Sequence, residues 1–171
     1  MYEALLEEAS QKGLTVIENY PFSSARIRGL CCDDTIALNA QIDTTAERTV
    51  VLCEELIHAE QSVGNILCDP RMEQRARAQS FDRLISPEGL VYAYLAGCRE
   101  AWEFAEHLGI TEAFLQEAMA HYRARYGLFK KVSFEGQEYA ITFEPTLLIR
   151  KFRASKRRQL RSATERKEHT V

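Results

Sequence analysis

The chain has 171 residues, 46% of them hydrophobic, with a formal net charge of −3. That suits one domain with a sizeable core, or one domain with a small appendage, and excludes a chain too polar to fold. No stretch approaches the roughly 20 apolar residues of a membrane span, the acidic start "MYEALLEEASQKG" lacks the basic-then-apolar order of a signal peptide, and five cysteines without a C-x-x-C spacing argue against a disulfide framework or a cysteine-rich zinc knuckle. A reduced, cytoplasmic setting is the expectation.

In chain order, residues 2 to 12 have the pattern of a short amphipathic helix, ended by Gly13. "LTVIENY", "ARIRGLCC" and "DTIALNA" are rich in β-branched and apolar residues and predict three short strands, with Asp33-Asp34 as the turn before the third. An antiparallel sheet is expected from them, with Cys31 and Cys32 as ordinary thiols at a strand end. Thr44 and Glu47 stand at capping-box spacing and open a helix that runs to about Val63, where Gly64-Asn65 stops it. Asp69 as N-cap and Pro70 at the first helical position begin the next helix, folded back on the first. Ser86-Pro87-Glu88 caps a third, "EGLVYAYLAG".

The segment "FAEHLGITEAFLQEAMAHY" has the helix, glycine turn and helix of a helix-turn-helix, within about residues 98 to 125. Ala105, Leu108, Gly109, Ile110 and Leu115 carry that pattern, and Trp102 and Phe104 are expected in the core. The would-be recognition helix starts Thr111-Glu112 and carries Glu117, charges that DNA phosphates would repel, so packing or a protein-facing surface is the better reading. "LFKKVSF" and "YAITF" flank Glu135-Gly136 as a hairpin. Nine of the 22 basic and two of the 25 acidic residues fall in 150–171, so a tail of charge +7 follows a body, residues 1–149, of charge −10. Such a tail has too few apolar residues for a core. It could meet nucleic acid, or its own acidic body.

The chemistry concentrates in the helix after Thr44. It is apolar on most sides, through Val50, Leu52, Cys53, Leu56 and Ile57, and so should be largely buried. Glu54, His58 and Gln61 form a polar stripe on it, flanked by Glu55. Ionisable groups on a buried helix need partners, because an unpaired buried charge is costly. Positions 54 and 58 are one turn apart and face the same way, as two metal ligands must. Glu73, near the start of the returning helix, comes to about the same level as His58. On the residues alone two readings stand: an ion held by Glu54, His58 and Glu73, or a solvated stripe with Glu73 placed to suit the helix dipole.

The stretch Glu54-Glu55-Leu56-Ile57-His58 is the zinc-protease pattern H-E-x-x-H with Glu in place of the first His. Together with "TIALNA", "EQRARAQSFDRLISP" and the helix-turn-helix-like segment, it resembles the ImmA/IrrE family of metallo-endopeptidases over about residues 1 to 145, in the branch of phages and mobile elements. The resemblance implies an α+β fold: a small sheet packed on a zincin-like helix pair, with the helix-turn-helix-like helices behind it and a C-terminal hairpin. It implies that His58 and Glu73 are metal ligands, that Glu54 occupies the place of the family's first His ligand, and that Glu55 is the catalytic Glu. The metal expected is zinc (Zn²⁺), with Mn²⁺ or Fe²⁺ also suited to an oxygen-richer site. The expected partner is a helix-turn-helix repressor, as substrate of a peptidase or target of an antirepressor. A non-catalytic regulator binding a repressor through the same cleft is the second reading, and a DNA-binding protein the third.

Overall fold

A computed structural model describes residues 1–61, 70–143 and 145–152. The order is α1 (Tyr2–Gln11), β1 (Thr15–Tyr20), β2 (Gly29–Cys32), β3 (Thr35–Asn39), α2 (Thr45–Gln61), α3 (Pro70–Leu84), α4 (Pro87–Leu95), α5 (Ala101–Leu108), α6 (Glu112–Tyr126), β4 (Phe129–Phe134), β5 (Gln137–Thr142) and β6 (Leu148–Lys151). The fold is α+β, as the sequence leads one to expect. The anticipated helix stop at Gly64-Asn65 and the N-cap Asp69 lie outside the described residues.

The first sheet has the order β1-β3-β2 and is mixed, not antiparallel throughout. Asp33, at φ 50°, turns the chain between β2 and β3, and so short a connection can only join antiparallel strands. With that side of β3 taken, β1 pairs on the other side, and it does so in parallel. The long excursion from Phe22 to Arg28 makes this order possible. Its anchor is Asn39, which is fully buried. The Asn39 amide donates to the carbonyls of Ser24 at 3.2 Å and Ile27 at 2.6 Å, and its oxygen accepts from the Gln41 backbone N–H at 2.9 Å. β2 is thereby delivered to the sheet edge beside α2.

α2 starts as its sequence directs, with the Thr44 hydroxyl accepting from the Glu47 backbone N–H at 3.2 Å. Val50, Leu52, Cys53, Leu56 and Ile57 bury against the first sheet, α1 and α3. Salt bridges tie the outer sides of α1, α2 and α3 together: Lys12 reaches Glu8 at 2.6 Å and also Glu60, and Arg83 reaches Glu8.

The Ser86 hydroxyl caps α4 by accepting from the Gly89 N–H at 2.9 Å. Gly109 ends α5 in the left-handed conformation, φ 65°, and Thr111 caps α6, so two helices follow one another across a glycine turn. Phe104, Ala105, Leu108, Ile110 and Leu115 are buried in this segment. Trp102 is not: it is 57% exposed, because it lies on the outer side of an eight-residue helix whose inner side Phe104, Ala105 and Leu108 already fill.

The expected hairpin is β4–β5, with Glu135 at φ 49° and Gly136 at φ 74°, the doubly positive turn that suits a two-residue hairpin. β6 adds a third antiparallel strand and carries Arg150 and Lys151 of the basic segment into the sheet. Residues 153–171 lie outside the described residues. One continuous core joins Leu5, Leu38, Leu56, Leu90, Phe114, Ile141 and their neighbours. Among the described residues no helix is long and apolar enough to cross a membrane.

Candidate metal centre

The polar stripe of α2 meets α3 as the spacing suggests. His58 Nε2 lies 3.5 Å from Glu73 Oε2. One turn earlier on α2, the Glu54 carboxylate pairs with Arg77, and at the far end Gln61 donates to Gln79 at 2.6 Å. Glu54, His58, Glu73, Gln74, Ala76 and Arg77 line one open pocket of about 290 Å³. Three of the four expected site residues therefore share a pocket.

Glu55 does not line it. One residue along the helix is a rotation of about 100°, and this turns Glu55 toward β2. Its Oε1 lies 2.7 Å, and its Cγ 2.8 Å, from where a Cβ on Gly29 would stand, and a backbone hydrogen bond from Cys31 reaches the carboxylate. Gly29 is thus required for space: any side chain there would collide with Glu55 and Val51. Burial, then the negative charges of Glu54 and Glu73, push the Glu55 carboxyl up to about 8. A cation held between Glu54, His58 and Glu73 would offset the second of those causes.

The donor set fits an ion in part. Two ligands about 2.0–2.2 Å from one tetrahedral ion stand roughly 3.4 Å apart. The 3.5 Å between His58 Nε2 and Glu73 Oε2 matches that separation. Glu73 is open to solvent and His58 partly so, which leaves an entry path. Glu54 departs from the pattern. Its Oε1 is held by Arg77, and among the described residues no three His, Cys, Asp or Glu side chains are gathered as an ion would gather them. Burial raises the Glu54 carboxyl above its ordinary value while the Arg77 hydrogen bond and charge pull it back. The direct contact with a guanidinium makes the pair an ionised one.

Arg77 is the site residue that the sequence reading missed. Its guanidinium also pairs with Glu117 of α6 at 2.7 Å and lies over the Phe114 ring, 4.8 Å from the centroid. Glu73 and Arg77 at i, i+4 look like an ordinary surface pair on a helix. Nothing local marks a partner on α6, 40 residues away.

Comparison with models of known families, with characterised proteins and with solved structures finds no match.

Proposed function

We propose that this chain is a metal-dependent peptidase, or a peptidase-like antirepressor, of the ImmA/IrrE type, acting in the cytoplasm on a helix-turn-helix repressor of a phage or mobile element. The observation that carries this reading is the placement of His58 and Glu73 at ligand-to-ligand separation on a helix pair, with the half-buried carboxyl of Glu55, held by the Cys31 backbone, one residue from Glu54 and beside a sheet edge. His58 and Glu73, joined by Glu54, would hold the ion. A bound Zn²⁺, Mn²⁺ or Fe²⁺ supplies Lewis acidity to the scissile carbonyl and the attacking water. Glu55, which faces β2, would turn its carboxyl toward the pocket to act as general base, taking a proton from the attacking water and passing it to the departing amine. β2 is an edge strand, so the outer backbone groups that Glu55 does not engage would offer an extended peptide a partner.

The second reading is a non-catalytic regulator that binds a repressor through the same cleft. The Glu54–Arg77 pair favours it, since it occupies a carboxylate that the peptidase needs. DNA binding stays third, because Glu112 and Glu117 lie on the α6 helix that would enter a groove.

Elemental analysis after reconstitution, alongside incubation with the repressor encoded nearest the gene, separates these. The peptidase reading expects about one divalent ion per chain. Glu55→Gln then keeps the ion and stops cleavage, whereas His58→Ala and Glu73→Ala lose both. A chain that takes up no ion but binds the repressor is the non-catalytic regulator.

A further inference from the structure

Arg77 occupies a position that none of these roles explains. Among the described residues lining the pocket of Glu54, His58 and Glu73 it is the one permanent cation. Its guanidinium faces two carboxylates on two different helices, Glu54 of α2 and Glu117 of α6. It is also braced by two rings, Phe114 at 4.8 Å and Phe81 at 5.6 Å from their centroids. A guanidinium with five N–H donors and a flat face can keep the rings and Glu117 while releasing Glu54. Glu54 must move to join an ion, because in the pose that Arg77 holds it is not gathered with His58 and Glu73 as a ligand set would be.

We infer that Arg77 is a positioning residue that latches Glu54 away from the His58–Glu73 pair, so that a divalent ion completes its ligand set only by drawing Glu54 off Arg77. This rests on the metal-site reading above. Two consequences set it apart from a mere helix–helix salt bridge. First, Arg77 competes with the ion, so removing its charge tightens ion binding, whereas loss of a structural support would loosen it. Second, Glu117 competes with Glu54 for Arg77, so removing the Glu117 charge strengthens the latch. Once released by Glu54, the guanidinium remains at the pocket wall, held by Glu117, where a carbonyl oxygen of a bound peptide is a natural acceptor.

The test is Zn²⁺ and Mn²⁺ affinity of the full chain, by competition with a chromogenic chelator, with thermal melting as the check on folding. Arg77→Met should tighten binding about tenfold, the size of one charge-assisted hydrogen bond no longer broken on binding. In a Glu54→Gln background the same change should give no gain, because the competing carboxylate is gone. Glu117→Gln, at a half-exposed position away from the ion, should weaken binding several-fold. If Arg77→Met binds as the wild type does, or more weakly while melting at the same temperature, the latch is overturned and the His58–Glu73 site survives it. A gain that persists in the Glu54→Gln background also overturns it, because Arg77 then acts by simple charge repulsion. If neither the wild type nor any variant takes up either ion, the metal-site reading fails and the latch with it.

Discussion

Gly29→Ala tests the link between the sheet edge and the candidate catalytic carboxyl. A Cβ at Gly29 would stand 2.6 Å from Val51 Cγ1, 2.7 Å from Glu55 Oε1 and 2.8 Å from Glu55 Cγ. Glu55 Oε1 is the end of a flexible side chain and can swing away. Glu55 Cγ sits close to the helix backbone, and Val51 is β-branched and 6% exposed, so neither yields without moving α2 from β2. Overpacking of this kind costs about 1–3 kcal/mol. Exchanging Gly for Ala in a strand returns roughly 0.5–1 kcal/mol through the unfolded chain. The net expectation is a loss of about 1–2 kcal/mol, read as a lower midpoint in urea at unchanged slope. Val51→Ala removes one of the obstructing methyls, so the two substitutions should be non-additive, the double variant being more stable than the sum of the single losses. A Gly29→Ala chain within about 0.5 kcal/mol of the wild type, or strict additivity with Val51→Ala, would refute the close approach of β2 to α2 and with it the placement of Glu55.

Asn39→Ala should cost about 2–4 kcal/mol, since it strands the carbonyls of Ser24 and Ile27 and the Gln41 N–H; a loss under about 1 kcal/mol by urea unfolding means the excursion from Phe22 to Arg28 has another anchor. Glu8 is pushed up by burial, but hydrogen bonds from Lys12 and Arg83 outweigh this and hold its carboxyl below the ordinary value. Its stabilisation is therefore present above the ordinary carboxylate range and lost as pH falls through the lowered folded value. Glu8→Gln should cost about 0.5–1 kcal/mol at neutral pH and converge with the wild type in acid; a difference that does not shrink there rules out the ionised bridge. Burial pushes the Cys53 thiol up to about 12, whereas Cys32 is exposed. Iodoacetamide on the native protein should alkylate Cys32 well before Cys53, and peptide mapping that finds the reverse order contradicts the packing of α2.

What the sequence discloses is what local physics determines. The caps at Thr44 and Ser86, the Glu135-Gly136 turn and the buried side of α2 are each set by a few neighbouring residues, and each is found in the fold. β6 escaped notice because only Ile149 of its four residues is buried, which leaves no alternation to read. Pairing of β1 with β3 in parallel is a choice between neighbours that strand composition does not encode. Trp102 is large and apolar, but bulk does not specify which side of α5 faces inward. The same division runs through the site. That Glu54, His58 and Glu73 meet at one pocket was legible from helical spacing; the turn of Glu55 toward β2 and the part of Arg77 were not, because they depend on β2, Glu54 and Glu117 arriving from other elements.

That dependence bears on whether Glu54 is a changed ligand or a relic. A carboxylate and a guanidinium brought together on a partly buried helix face lose much of their hydration, and a well-packed apolar pair at such positions is often as stable or more so. On the helix surface position 54 neighbours Val50, Val51 and Ile57, all buried, so an apolar side chain there would suit the packing of α2. Stability alone therefore gives no reason for a charge at 54, and still less for a matched opposite charge at 77. A histidine at 54, as in H-E-x-x-H, would not hold Arg77 when neutral and would repel it when protonated. On the latch proposed above the two residues form a unit, in which Glu54 would be a ligand whose availability Arg77 controls. On this argument Glu54→His should free Arg77 from α2 and remove the competition as well as supplying an imidazole. Its gain in Zn²⁺ affinity should then be no larger with Arg77→Met added than without it, and a further gain in the double variant would separate the two residues.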